Sequence, residues 1–280
     1  MSDADILAPT RSPLRRLTGV QIVSTGSYLP ERVVTNEALA SLGCDADWII
    51  QRTGIRERRH APPEISTSDM AVAAAERCIK AAGVDRSEID LLVLATLSPD
   101  YLLPATAAAV QYRLGLNCAA MDVSAACAGF MYALVTGMQF VATGSSKNAL
   151  VIGADTNSRV MNPEDKKTYP LFGDGAGAVL LTKGGKEQGL VSYTLGADGS
   201  GEQLLIRPAG GSRAPLNGRG PHAADCFVKM DGRPVFKWAV RLLNDSSRQV
   251  LEAAGFKVIR LTDQRCCGRP MSIIIPSRAN

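Results

Sequence analysis

SDMAVAAAERCIKAAGVDRSEIDLLVLAT, residues 68–96, decides the fold class. Ser66 and Thr67 stand ahead of it as helix-starting residues, and Gly83 suits the left-handed position just past a helix end, so residues 68–83 predict a helix. After a polar turn, IDLLVLAT is a continuous apolar run of the kind that makes a strand buried on both faces. A helix closed by glycine and followed by such a strand is the repeat of a layered α/β architecture.

The same alternation continues downstream. ATAAAVQYRLG (105–115) predicts a second helix, closed by Gly115, and CAAMDVS (118–124) a second strand. Val123 to Gly144 carries no charged residue, which approaches the length of a membrane span. It is rich in Ala, Gly, Ser and Thr, contains Gln139 and follows Asp122, so a helix buried on all sides of a large core is the expectation. NALVIGAD (148–155) predicts the next strand. GDGAGAVLLTK (173–183) and GLVSYTLGADG (189–199) read as neighbouring strands, and residues 232–255 as a long helix with Phe236, Ala239, Leu243, Val250 and Ala254 on one face. Both this helix and that of residues 68–83 end in AAG, a faint sign of internal duplication.

The 280 residues suffice for one large domain or two moderate ones. The first residues have no apolar signal-peptide core and read as a short polar leader. Seven cysteines (44, 78, 118, 127, 226, 266 and 267), without C-x-x-C pairing, predict neither a disulfide framework nor a metal site and fit a reducing cytoplasm. Net charge is +4. Lys257, Arg260, Arg265, Arg269 and Arg278 against Asp263 account for all of it, so overall charge gives no reason to expect a nucleic-acid partner. Between Gly255 and the apolar run at Ile273, KVIRLTDQRCCGRPMS shows no clear helix or strand period.

VSAACAGF (123–130) carries the candidate chemistry. Strand, tight small-residue turn and helix would put Cys127 near a helix N-terminus, where unpaired N–H groups and the helix dipole favour a thiolate suited to covalent catalysis. The alternative is that Cys127 packs as a small buried hydrophobe, and spacing alone favours that alternative. GDGAGAVLL lacks the Rossmann glycine spacing and lies before a strand, so its glycines are assigned a structural role.

VSAACAGFMYAL, WIIQRTGIRERRHA, YPLFGDGAGAVLL, LGADGSGEQLLIRP and KMDGRPVFKWAV together resemble the β-ketoacyl-acyl-carrier-protein synthase III family of condensing enzymes over residues 17 to 256. The resemblance implies a thiolase-like fold, with duplicated βαβαβαββ halves in five αβαβα layers and a homodimer as the working form. Residues 17–185 would form the half bearing the nucleophile, 186–256 the start of an incomplete second half, and 257–280 an anomalous tail.

The resemblance further implies that Cys127 accepts an acyl group from acyl-CoA, acetyl-CoA in the first place, as a thioester. Malonyl-acyl-carrier protein would then condense with it by decarboxylation to start a fatty-acid chain. Trp48 and Arg52 would clamp the adenine end of CoA and Lys166 would stand near its phosphate. Gly232 and Phe236 would flank the pantetheine tunnel, Lys237 would meet the acidic carrier protein, and Leu103 would reach the partner subunit's acyl pocket. No cofactor is implied, since the CoA thioester is a substrate, and neither a nucleic-acid nor a membrane partner is expected.

The family's condensation histidine, in a Pro-His-Gln-Ala-Asn segment, and a later asparagine have no counterpart after Phe256. The final PSRAN would put Ser277 in the histidine's place but arrives about nine positions late. A frame change just after Phe256 is therefore expected, and with it a condensation-defective chain that at most binds CoA or acylates itself. A related thiolase-fold acyltransferase is the further alternative. His60 and His222 are the only histidines, and neither is expected to replace the missing group.

Overall fold

A computed structural model describes residues 13–216, 223–266 and 269–276, with side chains as far as position 258. The strands are β1 (Arg15–Thr18), β2 (Val20–Tyr28), β3 (Val33–Thr35), β4 (Glu57–Arg59), β5 (Leu91–Ala95), β6 (Ala119–Val123), β7 (Asn148–Thr156), β8 (Asp174–Lys183), β9 (Gly189–Tyr193), β10 (Leu205–Ile206), β11 (Lys229–Met230), β12 (Phe256–Cys266) and β13 (Arg269–Pro276). The helices are α1 (Ala46–Thr53), α2 (Thr67–Ala82), α3 (Thr106–Arg113), α4 (Gly129–Ala142) and α5 (Gly232–Ala253).

A five-stranded sheet in the order β2-β8-β7-β5-β6 is the centre of the fold. Strand β5 runs parallel to both β6 and β7, while β8 is antiparallel to β7 and to β2. Its five residues Leu91–Ala95 are all buried, as the unbroken apolar run predicts. One face of the sheet packs against α2 and α3, with Met70, Ala74, Ile79, Leu92, Val110 and Ile152 in the core. The other packs against α4 through Val93, Ala133, Met138, Val141 and Val151.

Local chemistry sets α2 where the sequence places it. Ser66 caps it in a capping box with Asp69, and Gly83 closes it at φ 64°. The helix lies so close to β2 that a Cβ on Gly26 would come 2.2 Å from the Ala74 carbonyl oxygen and 2.5 Å from the Cys78 nitrogen.

Three expectations need correction. β9 is not a neighbour of β8: it pairs antiparallel with β1, because Gly19, at φ 86°, turns the chain between β1 and β2. The stretch without a clear period in the sequence contains two strands, β12 and β13, which pair antiparallel; their register shifts between Arg260 and Arg265, and that irregularity obscures the period. α4 is not buried all round: Met131 and Gln139 are exposed on the side away from the sheet. The long helix α5 forms over Gly232–Ala253 and packs on β9 and β12, with Phe236 and Leu243 exposed. Among the described residues no helix is long and apolar enough to cross a membrane.

Replacing Gly26 by alanine should lower stability by roughly 1–3 kcal/mol, because the clash is with backbone rather than with a yielding side chain. Gly177→Ala should be close to neutral, since a Cβ there meets nothing within 4 Å. Urea midpoints of the two variants check the contrast.

Candidate active site

Parallel register brings the ends of three strands together. Ala95, the last residue of β5, lies between Val123 of β6 and Gly153 of β7. Four residues past Val123 is Cys127, in a 3-10 turn, Ala126–Ala128, that runs directly into α4. Ala126 has φ 45°, the one non-glycine residue with positive φ among those described. The left-handed backbone costs an alanine about 1–2 kcal/mol. It is retained where the chain reverses from strand to helix and lifts the next side chain, Cys127, into exposure. Gly129 lets the first turn of α4 approach β5, with its absent Cβ 3.3 Å from that of Ala95.

Cys127 lines a cavity of about 560 Å³ at these strand ends, with Thr25, Ala95, Phe130, Asp155 and Asn157 and a floor of glycines from β7 and β8. The crevice beyond the carboxyl ends of parallel strands is where open α/β sheets bind ligands. Two carboxylates brace it. Asp122 accepts the Thr106 and Ala107 amides at 2.8 and 2.7 Å, capping α3. Asp155 Oδ1 accepts from Thr96 Oγ1, the Leu97 and Ser98 amides and Ser98 Oγ at 2.8–3.2 Å. Between these braces the chain presents Tyr101, Leu102 and Leu103, with Leu103 86% exposed.

The other sequence-predicted residues stand outside the cavity lining. Trp48 and Arg52 share α1, one turn apart, with the guanidinium 5.9 Å from the indole centroid. Asp45 caps that helix by accepting the Trp48 amide. The loop carrying Lys166 lies beside it, the Cys44 thiol being 4.0 Å from the Lys166 carbonyl oxygen. Through Cys44 the Lys166 backbone thus comes close to the start of the helix that bears Trp48 and Arg52. Gly232, Phe236 and Lys237 occupy the first turns of α5, with Phe236 and Lys237 exposed. Asp155, Asn157 and Thr25 escaped the sequence reading, because strands far apart in the chain bring them to Cys127.

His60 is buried and does not line the cavity. Its Nδ1 is 3.4 Å from the Tyr169 hydroxyl, and its Nε2 has no hydrogen-bond partner. Burial holds its pKa below the ordinary value, opposed by the nearby Asp174. His222 and Ser277 lie outside the described residues. Among the described residues no cluster of side chains could hold a metal ion.

The fold, with a cysteine-bearing turn at the head of α4 over the strand ends, is that of the thiolase-fold condensing enzymes, as the solved structures it resembles show. A family model described as 3-oxoacyl-(acyl-carrier-protein) synthase III matches residues 121–199, the segment holding the turn, α4, β7 and β8. β-Ketoacyl-(acyl-carrier-protein) synthase III of Rhodopirellula baltica is 53% identical over 256 residues, covering 85% of this chain and 74% of that one. The enzyme of the same name from Desulfitobacterium hafniense is 42% identical over 94% of this chain and 77% of its own. Among solved structures, synthase III from Thermus thermophilus superposes with a TM-score of 0.76 at 38% identity, over 84% of this chain and 72% of that one. The Aquifex aeolicus enzyme gives 0.73 at 40% identity, over 85% and 72%. The chain belongs to the β-ketoacyl-acyl-carrier-protein synthase III family.

His60 generates a pH prediction. Its folded pKa is depressed, so its contribution to stability is present above the unfolded value of about 6.5 and is lost as the pH falls from there through the folded pKa. The wild type should lose stability across that window more steeply than His60→Leu, as measured by urea unfolding at stepped pH.

Proposed function

We propose that the chain is an acyltransferase that starts fatty-acid synthesis, carrying an acyl group, acetyl by preference, from CoA to Cys127 and condensing it with malonyl-carrier protein. The observation that supports this most is Cys127 itself, raised by the strained Ala126 into a cavity at the head of α4. The thiol gives up its proton and the sulfur attacks the acyl carbonyl. Amides at the head of α4, that of Cys127 included, balance the negative charge gathering on oxygen. The C–S bond to CoA breaks and the CoA thiolate leaves to be protonated. In the second half, malonyl thioester loses carbon dioxide, and the resulting carbanion attacks the acyl-Cys127 carbonyl, so that the cysteine leaves as the C–C bond forms.

The CoA adenine would stack on Trp48 and Arg52, with Lys166 at the phosphates. Gly232 and Phe236 would border the pantetheine arm, and Lys237 would meet the acidic carrier protein. A homodimer is part of the reading. Strand β6 forms one edge of the five-stranded sheet, and the braced Tyr101–Leu103 segment displays large apolar side chains that association would cover. The reaction belongs in the cytoplasm, where its thioester substrates are made.

A second reading stops at the acyl-enzyme. It is favoured by the lining of the Cys127 cavity, which among the described residues includes no histidine to assist decarboxylation. Incubation with acetyl-CoA followed by peptide mass mapping should show acetyl on Cys127 in the wild type and none in Cys127→Ser. Addition of malonyl-carrier protein should then discharge it as acetoacetyl-carrier protein. Retained acetyl would establish the second reading, and an unlabelled Cys127 would contradict both. Trp48→Ala should raise the acetyl-CoA concentration for half-maximal labelling about tenfold while leaving the plateau intact.

A further inference from the structure

The Cys127 cavity is larger than an acetyl group needs, and its volume of about 560 Å³ is that of a pocket enclosing a whole small molecule. The surplus has a direction. Ala95, Gly153 and Gly177 stand side by side on β5, β7 and β8, on the face of the sheet that carries α4. A Cβ on Gly153 would come 3.1 Å from the Phe130 ring, so that residue lies under the first turn of α4. A Cβ on Gly177, one strand further, would meet nothing within 4 Å. There the floor of the cavity leaves the cover of α4 and continues to Val179 and to Thr25, its partner in register on the edge strand β2.

Cys127 is at the other end of this row. An added Cβ on Gly129, two residues later, would lie 3.3 Å from that of Ala95, so the head of α4 sits on the end of β5. Gly177 is two strands across from Ala95, roughly 10 Å at the spacing of paired strands. A straight chain of about eight carbons, at about 1.3 Å each, covers that distance. The lining changes character along the way: Asp155 and Asn157 lie at the strand ends, whereas Ala178 and Val179 lie further along β8, away from them. An apolar tail is accommodated over Gly177 and Val179, which leaves the strand-end side to the second thioester.

We propose that Gly177 is a specificity-determining residue: by leaving the groove without a side chain, it lets Cys127 take straight acyl groups of up to about eight carbons as well as acetyl. The inference rests on Cys127 being the acylated residue. A side chain at position 177 would stand in the path of the tail, whereas an acetyl group ends before reaching it.

A linear tail can be attached to Cys127 without enzymatic turnover. Alkyl methanethiosulfonates give their alkylthio group to a thiolate: the S–S bond to Cys127 forms as methanesulfinate leaves. The methyl and octyl reagents differ only in tail length. Peptide mass mapping gives their rate ratio at Cys127 in the native protein and at the same cysteine in the urea-unfolded chain. The native octyl-to-methyl ratio should exceed the unfolded one about tenfold, the effect of burying roughly two methylenes. Gly177→Leu fills the groove and should bring the two ratios within about twofold. In the wild type, octanoyl-CoA should leave octanoyl on Cys127, as acetyl-CoA leaves acetyl.

Equal native and unfolded ratios in the wild type would overturn the proposal, as would a native ratio unmoved by Gly177→Leu or a Cys127 that takes acetyl but no octanoyl. Should the leucine variant not fold, Gly177→Ala, whose methyl group has room, should lower the native ratio about twofold, and an unchanged ratio there would overturn the proposal too. A wild type that shows the expected ratio yet takes neither acyl group from its CoA thioester would refute the acyltransferase reading while leaving the groove standing.

Discussion

The register of β5 between its two parallel neighbours is the constraint on which the site depends. Leu91 to Ala95 form a strand buried on both faces, and pairing with β6 and β7 sets Ala95 opposite both Val123 and Gly153. A one-residue slip would turn buried leucines towards the wrong helix layer and separate the turn after β6 from the end of β7. The hydrophobic pattern of the core therefore also fixes the position of Cys127. Chemistry at the strand ends is a consequence of packing along the strands.

Within that frame the cysteines divide by environment. Cys78, on α2 facing the sheet, is fully buried and hydrogen-bonded with Ser24, and burial pushes its thiol pKa up. Cys127 follows the left-handed Ala126 in its turn and is exposed. The cost of the left-handed Ala126 is borne because the surrounding elements are held independently, α3 by Asp122 and the 96–98 turn by Asp155. Those carboxylates tie the cavity wall to the segment bearing Leu103, so the chemistry and the apolar surface proposed for association share one scaffold.

Much of this was legible in the sequence where the determinants are local. The capped helix from Thr67 to Ala82, the apolar β5 and the one-turn spacing of Trp48 and Arg52 each follow from neighbouring residues. The pairing of β9 with β1 did not follow, because it depends on a turn at Gly19 some 170 residues earlier. Nor did the pairing of β12 with β13, whose irregular register breaks the alternation that would have announced it. At the site, small residues around Cys127 gave away the turn but not the sign of φ at Ala126. Asp155 and Asn157 could be placed there only once strand order was known. The motifs that carry the family likeness tipped a thiol that local physics alone would have assigned to the core.

Pulse labelling of the native protein with N-ethylmaleimide, resolved by peptide mapping, tests most directly whether Cys127 is presented rather than packed. Cys127 is expected to react within the pulse while Cys44 and Cys78 react only after unfolding. Protection of Cys127 equal to that of Cys78 would contradict the placement of Cys127 in the open cavity, and with it the function proposed from that placement.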